Sequence, residues 1–356
     1  MSAPSADLPT PDTFAHALLA WFDVHGRKDL PWQRNRNAYR VWLSEVMLQQ
    51  TQVRTVIPYF ERFVAALPTL AGLASTEQDR VLALWSGLGY YSRARNLQRA
   101  AQICVEQHDG DLPRDIEALS ALPGIGRSTA AAILAQAFGE RHAILDGNVR
   151  RVLARWHGVR GWPGGSAAQR LLWQFADTHT PHERVADYTQ AIMDLGATLC
   201  ARSRPQCARC PVASGCVARR EGLTAVLPEA KPKRVAPTRA TTLLIVRDAQ
   251  GRVLLERRPP TGVWARLWSL PETDDAASAA RRLRDHCTLR ADSCTALGSF
   301  VHTFSHYHLE ITPLLFDGIV KPARVGDDPD HGWYARAELA ALGLPAPVRR
   351  LLESLP

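Results

Sequence analysis

The chain is poor in the features that would place it in a membrane, outside the cell or in a disulfide scaffold. Nowhere in its 356 residues does an apolar run approach the ~18 residues that a membrane-spanning helix needs. Met1–Thr13 is rich in Pro, Ser and Ala but carries no Lys or Arg and no apolar core. It therefore reads as a disordered lead-in rather than a secretory or organellar leader, and a reducing, cytoplasmic setting is expected. Cysteine is scarce, seven in all, and a chain of this size needs no covalent staples. No internal repeat is evident. Charge is unbalanced: 43 Lys and Arg stand against 35 Asp and Glu, a net +8, which favours a polyanionic partner without requiring one.

The placing of the cysteines is the first positive signal. Cys104, Cys287 and Cys294 are scattered, whereas Cys200, Cys207, Cys210 and Cys216 form C-x6-C-x2-C-x5-C. Four gathered thiolates suit either one tetrahedral metal ion or an iron–sulfur cluster. Arg202, Arg204, Arg209, Arg219 and Arg220 interleave or follow them, and a cationic loop around such a centre points toward phosphate, hence nucleic acid.

The length suggests two domains. From Phe14 to about Ala218 apolar residues recur at helical spacing, as in Phe14–Val24, Tyr39–Gln50, Val53–Ala66, Ala94–Gln107, Ser128–Phe138, Asn148–Trp156 and Ala167–Ala176. Residues 225–240, with Pro228, Pro232, Pro237 and four basic side chains, read as a linker. Strand-like runs follow at Thr241–Arg247 and Arg252–Arg257 around a turn at Asp248–Gly251, then at Ala296–Thr303 and Tyr307–Phe316, which predicts a separate α+β domain.

Two further motifs carry chemistry. Leu122-Pro-Gly-Ile-Gly-Arg-Ser-Thr-Ala130 places Gly124 and Gly126 in a tight turn just ahead of a helix start. Such a turn can grip a phosphate through bare backbone N–H groups, or simply connect two helices. Leu145-Asp-Gly-Asn-Val-Arg-Arg151 puts Asp146 where a helix-capping carboxylate stands.

The order of these motifs resembles the helix–hairpin–helix DNA glycosylases that carry a [4Fe–4S] cluster. Leu30-Pro-Trp32, Trp42-Leu-Ser-Glu45-Val-Met-Leu-Gln-Gln-Thr-Gln52, Trp85-Ser-Gly-Leu-Gly-Tyr90-Tyr-Ser-Arg-Ala-Arg95 and Gly161-Trp-Pro-Gly164 are similar to the adenine DNA glycosylase (MutY) family, from about residue 12 onward. The resemblance implies a mostly α helix–hairpin–helix catalytic region over residues 13–224, after a lead-in at 1–12, with the cluster loop at 200–216. An α+β Nudix-like lesion-recognition domain would follow over 241–356. It implies a [4Fe–4S] cluster on the four cysteines. It also implies a monomer acting on double-stranded DNA that holds adenine opposite 8-oxoguanine or guanine, with no membrane partner.

Site residues follow from the same resemblance. Glu45 is the acid that protonates the departing adenine, and its apolar neighbours Val41, Trp42, Val46 and Met47 predict a raised pKa by desolvation. Asp146 is the carboxylate facing the cationic sugar, with Asn148 orienting it or the water. Gln50 and Tyr90 sit beside the orphaned lesion, and Trp32 and Gln190 line the pocket of the flipped base. In the C-terminal domain Ser305, Phe304 and His306 form the loop that contacts 8-oxoguanine. The hairpin position where strand-cleaving relatives carry a lysine nucleophile is Ser128, and Arg150 follows the LDGNV motif where lysine is common. Neither is a practical imine former, so a monofunctional glycosylase is expected. Arg281-Arg-Leu-Arg-Asp-His286 has one acid where a working Nudix hydrolase has three, which argues against pyrophosphate hydrolysis. The competing readings are an endonuclease III-like glycosylase/lyase and a non-catalytic iron–sulfur DNA-binding protein.

Overall fold

The computed structural model describes residues 11–232, 235–287, 294–304, 306–319 and 329–355. The chain falls into two compact units, Met1–Ala74 with Arg99–Lys233, and Ser75–Gln98 with Arg234–Pro356. Among the described residues no helix is long and apolar enough to cross a membrane.

Helices α1 (Pro11–His25), α2 (Ala38–Leu48) and α3 (Val53–Ala66) open the first unit. After α4 (Leu70–Ser75), α5 (Gln78–Trp85) belongs to the second unit and α6 (Ser92–Gln107) to both. The first unit resumes with α7 (Ile116–Ala121), α8 (Arg127–Phe138), α9 (Gly147–Trp156), α10 (Ser166–His179), α11 (Val185–Thr198) and the short α12 (Val217–Arg220). Phe14, Leu18 and Phe22 recur every fourth residue along one stripe of α1 and enter a core with Val152, Leu153 and Trp156 of α9, Leu172 of α10 and Ile192 and Leu195 of α11. Cys200, Cys210 and Cys216 pack at the margin of that core. Helix α11 is absent from the sequence expectations for a physical reason. Val185, Tyr188, Thr189, Gln190, Ala191, Ile192, Asp194, Leu195 and Gly196 are all buried, three polar side chains among them, whereas the less buried Ala186, Met193 and Ala197 are apolar, so the apolar–polar pattern does not follow burial. A Cβ at Gly196 would meet the Asn148 Cβ at 2.7 Å, so glycine is what lets α11 lie against the first turn of α9.

In the second unit one mixed sheet runs β3–β2–β1–β7–β5, with β1 Thr238–Asp248, β2 Val253–Arg257, β3 Trp268–Ser269, β4 Glu272–Thr273, β5 Thr295–Ala296, β6 Phe300–Thr303, β7 His308–Ile319 and β8 His331–Tyr334. β1 pairs in parallel with β7 from Thr238↔His308 to Val246↔Phe316. Its side chains alternate between two cores. Leu243 and Ile245 meet Val348, Leu351 and Leu352 of the C-terminal helix (Ala346–Glu353) on one face. Leu244 and Val246 meet Ala279 and Leu283 of the helix Ala279–Cys287 on the other. Burial on both faces explains the continuous apolar run.

Two boundaries differ from expectation. β1 begins at Thr238, inside the stretch read as linker, because its exposed first residues gain a partner strand only through the distant β7. Ala296–Thr303 is two strands rather than one: Ala296 pairs with Leu314 and Phe300 with Ile311, so four steps on one chain face three on β7, with Gly298 in the bulged segment.

Candidate active site

Helix α2 starts where the Asn37 Oδ1 accepts the Arg40 N–H at 2.9 Å. It buries Val41, Trp42, Val46 and Met47. Glu45, on the same helix, stands in the wall of a cleft of about 1040 Å³. The Gln136 Nε2, from the otherwise apolar run Ala130–Phe138 of α8, donates to its Oε1 at 3.2 Å. Burial pushes the Glu45 carboxyl up to about 7, the negative charge of Asp146 adds to the rise, and the Gln136 amide holds it back.

Asp146 lines the same cleft and is the N-cap of α9, its Oδ1 accepting the Val149 N–H at 2.7 Å. Burial raises this carboxyl as well, opposed by the backbone N–H groups of Val149 and Asn148 and by the charges of Arg151 and Arg150. The positive end of α9 acts in the same direction as those cations. The charged neighbour of Glu45, by contrast, is negative and favours its protonated form. Capping and a place in the cleft thus coincide in one aspartate.

Asn148 reaches Asp146 through its backbone N–H. Its side-chain Oδ1 is taken by the Arg151 Nη2 at 2.7 Å, and the same guanidinium donates to the carbonyls of Gly196 at 2.7 Å and Cys200 at 2.8 Å.

Trp32 and Gln190 also line the cleft. Trp32 is held edge-on against Phe60, ring centroids 5.5 Å apart. The Gln190 amide is fixed at both ends: its Oε1 accepts from the Gln33 Nε2 at 2.5 Å, and its Nε2 donates to the Asp194 Oδ1 at 2.7 Å. Asp194 is fully buried and paired with Arg27 at 2.6 Å. Gln50 follows the end of α2 with φ 58°, the left-handed position where glycine is ordinarily favoured. The Ser128 Oγ accepts the Leu145 N–H at 2.9 Å, steadying the segment that delivers Asp146. Gly124 has φ 79°, and Gly126, the N-cap of α8, supplies no side-chain cap to the helix. Arg27, Arg54, Arg150, Arg151 and Arg202 bring positive charge to the cleft wall. The buried Nε of Arg150 has no hydrogen-bond partner among the described residues.

Cys200, Cys207, Cys210 and Cys216, all free thiols, line one small cavity of about 30 Å³. Among the described residues no three His, Cys, Asp or Glu side chains converge as the ligands of one metal ion would. Arg155 of α9, 2% exposed, clamps the entry to this loop. It donates to the carbonyls of Ala201 at 2.7 Å, Arg202 at 3.1 Å and Leu227 at 2.7 Å, and approaches the Cys200 Sγ at 3.4 Å.

Both parts of the chain match known protein families. Residues 43–177 match the HhH-GPD superfamily of base excision DNA repair proteins, and residues 242–354 match the NUDIX domain. The chain is 35% identical to the adenine DNA glycosylase of Buchnera aphidicola subsp. Acyrthosiphon pisum (strain APS), over 96% of this chain and 97% of that protein. The chain belongs to the adenine DNA glycosylase family. Its human relative, also an adenine DNA glycosylase, is 34% identical over 97% of this chain and 74% of its own length. A solved thermostable thymine-DNA glycosylase matches with a TM-score of 0.53 at 26% identity, covering 59% of this chain and 97% of its own.

The remaining expected residues of this adenine DNA glycosylase lie in the second unit. Tyr90 is 48% exposed and has φ 49°. Phe304 is half-buried, stacked on Tyr307 at 4.7 Å and packed against His302 and Trp264. Its N–H donates to the Tyr307 carbonyl at 2.9 Å, and His306 is exposed. Ser305 lies outside the described residues. Gln136, Gln33, Arg27, Asp194, Arg151 and Arg155 contribute to the site and to the cysteine loop without being marked as functional by any motif in the sequence. The visible signals are a lone Gln in the run Ala130–Phe138 and, for Arg151, Arg155 and Asp194, charges inside apolar helical stretches; Arg27 and Gln33 lie between helices and carry none.

Proposed function

We propose that the enzyme hydrolyses the N-glycosidic bond of adenine opposite 8-oxoguanine or guanine in duplex DNA, leaving an abasic site without cutting the strand. The observation that carries this reading is the pairing of Glu45 and Asp146 on one arginine-rich cleft, with the carboxyl of Glu45 pushed up to about 7. Adenine leaves poorly as an anion, so its ring must take a proton, and a buried acid still protonated near neutrality can supply it. As the bond breaks the sugar becomes cationic, and the ionised form of Asp146, which backbone N–H groups and neighbouring arginines favour against the cost of burial, stabilises that charge. Asn148 presents its backbone N–H to Asp146 and its side chain to Arg151, and so positions the carboxylate. Trp32 and the doubly anchored Gln190 bound the space for the flipped base, whose extrusion costs a few kcal/mol. Gln50 and Tyr90, both held in the left-handed region, fill the gap beside the orphaned lesion. Ser305, Phe304 and His306 read its edge from the Nudix-like domain. Gly124, Gly126 and the uncapped start of α8 hold a phosphate.

Ser128 and Arg150 stand where imine-forming lysines occur, which favours base removal alone. Cys200, Cys207, Cys210 and Cys216 would hold a [4Fe–4S] cluster, which when bound supplies a rigid, charged core to the loop rather than chemistry on the base. Thiols arranged around a common cavity, without convergence on a point, suit a cluster better than a single zinc ion. The arginines of that loop then face the DNA backbone.

A duplex assay tests the reading. With adenine opposite 8-oxoguanine, strand breaks appear only after alkali, and Glu45→Gln abolishes them while retaining lesion binding. Breaks without alkali would point to a lyase, and no breaks at all would refute base removal.

A further inference from the structure

Residues 86–91 join α5 to α6, and three of the six have positive φ: Gly87 at 104°, Gly89 at 73° and Tyr90 at 49°. Glycine adopts this region freely; a tyrosine there is strained and persists only where its surroundings over-determine the backbone. Part of that determination is local. The Trp85 Nε1 donates to the Gly89 carbonyl at 3.2 Å. The Arg93 Nη2 donates to the carbonyls of Leu88 and Gly89, each at 3.2 Å, with its guanidinium 5.6 Å from the centre of the Tyr90 ring.

The rest comes from the far end of the chain. These residues cluster with the sheet-bearing C-terminal segment rather than with the helices that flank them in sequence. The Tyr91 hydroxyl, on a buried ring, donates to the Leu344 carbonyl at 2.8 Å and lies 3.4 Å from the Gly87 N–H, which it can accept. The Arg349 Nη2 donates to the Ser86 Oγ and to the Leu342 carbonyl, both at 3.1 Å. The Arg95 Nη1 donates to the Ala265 carbonyl at 2.8 Å. A Cβ at Gly343 would meet the Leu82 Cβ at 2.8 Å, so the backbone there approaches α5 closely. The two neighbouring tyrosines therefore do different work: Tyr91 is anchored and buried, and Tyr90 is presented to solvent.

We propose that Tyr91 and Arg349 are positioning residues through which the C-terminal unit holds Tyr90 in its strained, outward conformation, and so set the enzyme's discrimination for 8-oxoguanine over guanine. This rests on the reading of Tyr90 as the side chain that enters the duplex beside the lesion. It makes lesion reading by the Nudix-like unit partly indirect. That unit contributes its own loop at Phe304–His306, and it also braces a side chain contributed by the N-terminal half of the sequence.

The test compares single-turnover adenine release from duplexes with 8-oxoguanine and with guanine opposite adenine, using the full chain and reading the ratio of the two rates. Tyr91→Phe keeps the ring and removes the hydroxyl; Arg349→Met keeps the stem and removes the donor, and serves if the first variant folds poorly. Each is expected to lower the ratio by about fivefold or more, and Tyr90→Ala combined with Tyr91→Phe is expected to be no worse than Tyr90→Ala alone, since both act through one side chain. If Tyr90→Ala lowers the ratio and the two brace variants leave it unchanged, the brace is refuted and the wedge role of Tyr90 stands. Additive losses in the double variant would also refute the brace. A ratio untouched by Tyr90→Ala would overturn both.

Discussion

Replacing Glu45 by glutamine should make the protein more stable at neutral and alkaline pH while removing its activity. Glutamine keeps the size and hydrogen-bonding reach of the side chain but cannot ionise. In the native chain the Glu45 carboxyl is raised from 4.5 to about 7, first by burial and then by the charge on Asp146. Below its ordinary value the group is protonated in both folded and unfolded states and contributes no difference. As pH rises toward 7 the unfolded chain ionises freely in water, whereas the folded chain must keep the proton or bury a charge. Stability present in acid is therefore lost on the way to neutrality, by about 3 kcal/mol in total. The variant does not suffer that loss. For a unit of this size the gap in melting temperature between variant and native chain should widen by about 6–12 °C between about pH 4.5 and about pH 8. Thermal unfolding of both proteins across this range measures it. A gap that stays constant with pH would mean that Glu45 ionises as an ordinary surface acid, and the acid role assigned to it would lose its physical basis.

Three further outcomes follow from the site. Gln136→Leu removes the amide that favours the ionised form of Glu45, so the alkaline limb of the base-release rate should move up by about one pH unit; an unmoved limb would show that this hydrogen bond does not reach the acid. Arg150→Lys introduces an amine into the cleft, and borohydride should then trap a covalent adduct with the abasic product that the native chain does not give; equal trapping in both would show that another amine reaches the sugar. If the four thiols hold a [4Fe–4S] cluster as proposed, Cys200→Ser should lose the cluster's visible absorbance and weaken duplex binding by about tenfold or more, with a smaller change in the base-release rate at saturating DNA. Retention of full iron content would remove Cys200 from the ligand set.

The parts of the site that could be read in the sequence are those where local chemistry and function coincide. Asp146 announces a helix start because a carboxylate there satisfies the N–H groups of α9, and the same carboxylate faces the cleft. Glu45 stands out as an acid embedded in an apolar helical pattern, and the structure supplies the desolvation that pattern predicts. The four cysteines are recognisable by spacing alone, although spacing does not distinguish zinc from a cluster. What escaped notice depends on long-range approach. Gln136 meets Glu45 across 91 positions of sequence, and Asp194 meets Arg27 across 167; neither helix records its partner. Helix α11 buries Thr189, Gln190 and Asp194 and leaves Ala197 exposed, so its polar residues do not mark its outer face, yet it supplies Gln190, Asp194 and the Gly196 contact with α9. The grouping of residues 75–98 with the C-terminal unit was equally hidden, because it rests on bonds across 170 or more positions of sequence, some of them to backbone carbonyls such as that of Leu344, which any residue type can offer.

The most direct test of Glu45 as the acid for adenine departure is the single-turnover rate of adenine release, measured from about pH 5.5 to about pH 9 with adenine opposite 8-oxoguanine. With the carboxyl at about 7, the rate should be highest in mild acid, bend near neutrality and fall about tenfold per pH unit above it. A rate that is flat, or that rises, through the alkaline range would contradict the account.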